Sequence, residues 1–464
     1  MGQTPPKEDF TLSPDSPDQD TPDSVTVSTS VSLSRGSLLT FGSKGFLLFL
    51  RVVTGMITAR ILAPEGRGIL QVVSQYPDLF FIVGYLSLTI PILRYFGLKE
   101  YRPQSFAGNA LIAALVVSVV LAAIFFCTYL FFPDLLYRNT YFPYLLLAFS
   151  WLPFMLFISY FSAILQALGR LKEYNVIQVM GRVVGLVLVI LFLVILRWGV
   201  AGVLWTNTIA FILAGLLALL YVRRQIPGPW TYDAPLMRKC VKDSLLLHPG
   251  TIAVFIFVKF NILMINHYRT AEEVGYFTIA VLLLEVITYI PLAIQTALYP
   301  RTGGRSMQEV EDLVGRSARH CFYFTIAMAA AMALLGKWAI LLYGGKAYLP
   351  AYQPLLIMVP GLIFMSISSS VDVLFIRKGL LLGKSVVCIF TAALNIVLNL
   401  YWIPVYGIAG AAWSTTICYF ANTVLCLAII FRKSNLTLAE LFVWRQEDTE
   451  YYHRLYSKYF GRKD

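Results

Sequence analysis

The 464-residue chain is 58% hydrophobic and only 13% charged, whereas soluble domains carry about a quarter charged residues, so a water-soluble fold is excluded. The net charge of +12 does not point to nucleic acid, because the bases fall in short loops between apolar runs and leave no basic, aromatic face for a nucleic acid to follow. Six scattered cysteines without a CxxC pair and four dispersed histidines supply neither a disulfide framework nor metal-ligand spacing, and no cofactor is implied.

Residues 1–34 are rich in Pro, Ser, Thr and Asp, with six acids against one base, Lys7, and should be disordered. They lack the basic start and short apolar core of a cleaved signal, so the first helix is expected to act as an uncut anchor. Twelve apolar runs follow at about 38–62, 69–93, 107–132, 141–165, 176–197, 201–222, 246–267, 276–299, 320–342, 354–376, 385–404 and 408–431, numbered 1 to 12 below. Each is continuous and long enough, at about 1.5 Å per residue, to cross the hydrocarbon as a helix, whereas a barrel would show short alternating strands. The sequence thus predicts an all-α integral membrane protein of twelve transmembrane helices. Its parts are a tail (1–34), a first six-helix bundle (35–224), a linker (225–245), a second bundle (246–431) and an amphipathic tail (432–464). Bases crowd the connections after even-numbered runs, which puts that side and both termini in the cytoplasm. The C-terminal tail, with Tyr and Trp among bases, is expected along the inner membrane surface.

The chain repeats itself. WGVAGVLWTNTI at 198–209 and YGIAGAAWSTTI at 406–417 share six of twelve residues at an offset of 208, and at 207 Glu65, Gly68, Asp78 and Arg94 fall over Glu272, Gly275, Glu285 and Arg301. Arg51 falls over Lys259 once one residue is gained between. The offset separates runs 1–6 from runs 7–12, and because six is even the halves share one orientation. They should be related by a pseudo-two-fold axis along the membrane normal, as in transporters built from parallel repeats.

Four charges then fall near the midplane: Arg51, Asp78, Lys259 and Glu285. Each costs at least about 2.5–3.5 kcal/mol there, which implies a hydrated cavity between the halves or tight ion pairs. Two readings stand. Arg51–Asp78 and Lys259–Glu285 are structural pairs fixing each hairpin, or they line a central cavity and contact an anionic group or a coupling ion. Lys44, two turns before Arg51 on the same face, extends a basic stripe or snorkels to the interface, and Arg182 inside run 5 is similarly ambiguous. Asp372, close to Arg377, is expected in an interfacial pair. Pro77, Pro91, Pro291 and Pro360 remove backbone hydrogen bonds within or near runs and are candidate hinges, or static kinks. Asn261, Asn395 and Asn399 are expected to bond between helices. No enzyme signature is found. GLLLGKS at 379–385 has three residues between its glycines instead of the four of a phosphate loop and reads as a turn.

The opening LSRGSLLTFGSKGFLLFLRVVTGMITARILAPEGRGILQVV resembles that of Wzx-type polysaccharide flippases of the multidrug/oligosaccharidyl-lipid/polysaccharide exporter superfamily. ILQALGRLKEYNVIQ at 164–178, INHYRTAEEVGYFTIA at 265–280, LYPR at 298–301, LLYGGKAYLPAYQPLLIMVPG at 341–361 and IPVYGIAGAAWSTTI at 403–417 agree. The resemblance covers about residues 33–431 and implies two bundles rocking around a central cavity in the bacterial inner membrane. It also implies carriage of an undecaprenyl-diphosphate-linked oligosaccharide between leaflets, with membrane lipids and polysaccharide polymerase machinery as partners. Coupling to H+ or Na+ is open: family members often carry an acid in run 7, where this chain has Asn261 beside Lys259. A cation-coupled multidrug antiporter of the same superfamily, or a non-transporting partner of a glycan-synthesis complex, are the alternatives.

Overall fold

The computed structural model describes the backbone of residues 31–446 and 448–450, and the side chains within that range other than those of residues 31–44, 247, 290, 293, 296, 297 and 299–301. Most of the acidic N-terminal tail and the end of the C-terminal tail therefore lie outside the described residues. The first helix begins at Val31, inside the stretch expected to be disordered. No strand occurs among the described residues.

Nine helices among the described residues are long and apolar enough to cross a membrane. Two of them fold back on themselves. Val31–Gly84 leaves helical geometry at Ala63 (φ 57°), and beyond the bend Arg67 donates to Thr58 at 3.0 Å, although nine residues of straight helix would part them by about 13.5 Å. Leu381–Phe431 bends at Gly407 (φ 58°), after which Lys384 Nζ comes within 3.4 Å of Cys426 Sγ. These helices hold runs 1 and 2 and runs 11 and 12, and Ala271–Arg301 holds run 8. The arrangement accommodates all twelve runs. Large apolar side chains such as Leu334 and Phe131 stay 77% and 75% exposed, as expected where the outer solvent is lipid rather than water. This is a multi-pass membrane protein.

The duplication shows in the backbone. Where the 1–2 turn meets the 7–8 turn, the carbonyl of Ala271 lies 1.6 Å from the place a Cβ on Gly68 would take, and the carbonyl of Pro64 lies 2.1 Å from the place of one on Gly275. Gly68 and Gly275 are equivalents at the offset of 207, and so are Pro64 and Ala271. The contact is self-complementary across a pseudo-two-fold axis, and only glycine permits it. Asn139 donates to the Asn266 carbonyl at 3.1 Å, Asn266 to that of Arg138 at 2.8 Å and Tyr348 to that of Ala59 at 3.0 Å. These join the halves at the same end, called here the turn end.

At the opposite, linker end, the helix Ala234–Tyr268 is capped by Asp233 and runs through the expected linker straight into run 7. Run 2 also departs from a single helix. It ends at Gly84, passes through Leu86 and Ser87 at φ 52° and 51°, and resumes as Thr89–Leu98. His248 bridges the break: its Nε2 donates to the Val83 carbonyl at 2.9 Å and its Nδ1 meets Ser87 Oγ at 3.1 Å, while Tyr160 donates to the Tyr85 carbonyl at 2.9 Å. The helices continue through Pro77, Pro291 and Pro360, and Pro91 sits in the first turn after the break, where its missing N–H costs nothing. The C-terminal tail docks on Met307–Tyr343. Buried Asp448 accepts from Arg319 at 2.9 and 3.2 Å, and against the desolvation that raises it, the Arg319 bonds hold its carboxyl below the usual carboxylate range.

Candidate functional site

Runs 1 and 8 pack against each other across the two halves, and that contact decides which charges meet. Glu285 accepts from Arg51 Nη2 through one oxygen and from Lys259 Nζ through the other, the latter at 2.7 Å. Tyr289, one turn further along run 8, also hydrogen-bonds Arg51. The Lys259–Glu285 pair within the second hairpin is therefore formed. Its counterpart Arg51–Asp78 is not: Arg51 turns to run 8 of the other half, and among the described residues Asp78 makes no ion pair, although the charges of Lys259 and Arg182 act on it.

Two cavities meet at this triad. The first, about 380 Å³, lies in the N-terminal half and is lined by parts of runs 1, 2 and 4–8. Arg51, Arg67, Arg182 and Lys259 face it with one carboxylate, Glu285. Arg182, within the bundle, lines this cavity. Ser74, Gln178 and Asn207 add uncharged polar groups to the same wall. An excess of positive charge beside uncharged polar groups suits a ligand that is both anionic and rich in hydroxyls.

The second cavity, about 430 Å³, lies in the C-terminal half and shares Arg51, Lys259, Val281 and Glu285 with the first. Two of its other polar groups, Asn261 and Thr415, bond each other, Thr288 bonds back to its own helix, and Tyr289 and Tyr419 also line it. Asn261 donates to Thr415 at 2.8 Å, and Thr288 donates to the Glu285 carbonyl at 2.7 Å. What remains on the wall is largely apolar, including Phe277, Leu284, Met358 and Leu362.

Of the residues singled out in the sequence, Arg51, Lys259, Glu285 and Arg182 meet at the first cavity, Asp78 does not line it, and the Lys44 side chain lies outside the described ones. Asn399 donates to Asn261 at 2.6 Å and to Asn395 at 2.9 Å, so Asn261 and Asn399 bond between helices while the Asn399–Asn395 bond lies within run 11. Asp372 pairs with Lys384 at 2.7 Å rather than with Arg377, because run 11 folds back beside run 10. Arg67 was not recognised. It stands in the APEGRG turn, beyond the apolar run, and only the bend at Ala63 aims it inward.

The family model described as polysaccharide biosynthesis protein matches residues 33–303. No curated protein matches the chain in sequence. Among solved structures, one described as the lipid II flippase MurJ in an inward closed conformation is similar at a TM-score of 0.71 and 12% identity, over 92% of this chain and 94% of that one. An inward-facing multidrug resistance MATE family transporter of the MOP superfamily is similar at 0.65 and 14%, over 84% and 96%. A MOP superfamily transporter from Pyrococcus furiosus, described as having a binding pocket of reversed polarity, is similar at 0.55 and 16%, over 87% and 94%. At these identities the likeness is one of fold.

Proposed function

The chain belongs to the polysaccharide biosynthesis protein family, and we propose that it is a flippase carrying an undecaprenyl-diphosphate-linked oligosaccharide from the inner to the outer leaflet of the bacterial cytoplasmic membrane. The observation that carries this reading is the first cavity, where four cations face a single carboxylate. A diphosphate entering the hydrocarbon region loses its water, and Arg and Lys replace that water with charge-assisted hydrogen bonds. The Ser74, Gln178 and Asn207 side chains on its wall suit sugar hydroxyls. Glu285 holds Arg51 and Lys259 while the cavity is empty; the phosphate competes with it, and Glu285 takes the two cations back as the phosphate leaves. All twelve runs cross the membrane in this reading, with both termini cytoplasmic and the turn end outward, so the glycine contact closes the cavity to the outside. The halves then rock about the triad to open that face.

The test is surface glycan in cells carrying Arg51→Ala with Lys259→Ala. Each lost bond to a charged group is worth about 1.5–3 kcal/mol, so export should fall about a hundredfold or more while membrane insertion persists. Unchanged export with a folded, inserted protein would sink the assignment.

A further inference from the structure

The order of environments across the triad has a chemical counterpart. From the N-terminal half to the C-terminal half, one passes from a cavity with polar groups such as Ser74, Gln178 and Asn207, through Arg51, Lys259 and Glu285, to a cavity whose wall is largely apolar. A prenyl-diphosphate-linked saccharide has the same order along its length: hydroxyls, two phosphates, then branched hydrocarbon. We propose that the second cavity receives the first isoprene units of the lipid, so that one ligand spans both cavities with its phosphates at Arg51 and Lys259. This rests on the flippase reading and adds to it a second, apolar subsite that selects for the lipid itself.

Three features of the second cavity suit hydrocarbon. Asn261 and Thr415 bond each other, and Thr288 is bonded back to its own helix, so an apolar occupant strands few of the wall's donors, each of which would cost about 1–3 kcal/mol. Met358 and Met365 on the wall are unbranched and adjust to an irregular chain. The space also continues: Thr288, Leu292, Leu362 and Met365 line both this cavity and a neighbouring pocket of about 160 Å³ that reaches Pro291 and Gln295. A chain longer than the first cavity-filling units therefore has a path along run 8. The saccharide gains little by entering, because most of its hydroxyls would lose water against a largely apolar wall.

Two soluble probes separate this subsite from the phosphate site. Farnesyl diphosphate has the phosphates and the isoprenoid but no sugar, and UDP-glucose has a glycosyl diphosphate but no lipid. With the purified full-length protein, filling the cavity by Met358→Trp or Leu362→Trp should weaken farnesyl diphosphate at least tenfold more than UDP-glucose. Equal weakening of both probes, or none, would overturn the subsite. Because a tryptophan could disturb folding, the unaltered protein is also photolabelled with a diazirine-bearing farnesyl diphosphate and the adduct mapped by mass spectrometry. Adducts on Leu284, Met358, Leu362 or Met365 support the proposal, and adducts confined to lipid-facing residues such as Leu334 overturn it. The flippase reading fails separately, if Arg51→Ala with Lys259→Ala leaves the affinity of both probes unchanged.

Discussion

Gly199 in the first half and Gly407 in the second share a positive φ, at 59° and 58°, whereas the equivalent acids Asp78 and Glu285 have parted company. Glu285 holds two cations, one from each half; Asp78 makes no ion pair among the described residues. The cavities differ in the same way. The N-terminal one sets Ser74, Gln178 and Asn207 beside four cations, and the C-terminal one bonds Asn261 to Thr415 and Thr288 to its own helix and is otherwise largely apolar. Duplication has preserved what the backbone needs, namely turns and close glycine crossings, and has let the chemistry of the two walls diverge. One wall binds charge and hydroxyls in the reading developed above, and the other is left to hydrocarbon.

The largest effect that would break this contrast comes from Glu285→Gln. Neutralising the only carboxylate that competes with a phosphate for Arg51 and Lys259 removes hydrogen bonds to charge worth about 1.5–3 kcal/mol, so affinity for farnesyl diphosphate should rise about tenfold or more. Export should fall, because the product now leaves slowly and nothing retakes the cations. Weaker binding in this variant would mean that Glu285 positions the cations rather than competing for them. The next effect probes the part the halves still share. Gly68→Ala or Gly275→Ala would press a Cβ into a carbonyl, and such overpacking costs about 1–3 kcal/mol. Closure at the turn end should weaken by about tenfold, read as faster labelling of Ser74→Cys by an impermeant maleimide added outside. The two variants should behave alike, and a strong difference between them would break the symmetry of the contact.

Much of this was legible from residues alone. The length and spacing of the apolar runs fixed the helical class, and WGVAGVLW against YGIAGAAW exposed the repeat. That repeat picked out Arg51, Asp78, Lys259 and Glu285 because matching depth survives duplication. Partner choice was not legible. Arg51 was considered with Asp78 because both lie in one hairpin, but sequence proximity does not weigh the packing of run 1 on run 8, a contact between residues more than two hundred positions apart. Arg67 was hidden for a related reason, since a base in a turn reads as solvated until the bend at Ala63 is known. The break at Leu86 and Ser87 falls at two residues that are neither proline nor glycine, and the flanking Gly84 and Pro91 did not place it. It is held by His248 and Tyr160, neither of them near it in sequence.

Asp78→Asn should have the smallest effect and sharpens the comparison most. Asp78 and Glu285 are equivalent by the repeat, so if both acids served one cavity symmetrically their neutralised forms would behave alike. The structure gives Asp78 no partner cation in contact and no place on either cavity wall. Only the more distant charges of Lys259 and Arg182 act on it, and a charge beyond contact is worth less than a hydrogen-bonded one. Farnesyl diphosphate affinity in Asp78→Asn should therefore change by less than about threefold, below 1 kcal/mol, against the tenfold rise for Glu285→Gln. A matching rise in both variants would mean that Asp78 also competes for the cations during the cycle, in a state of the molecule where run 2 has turned it toward them.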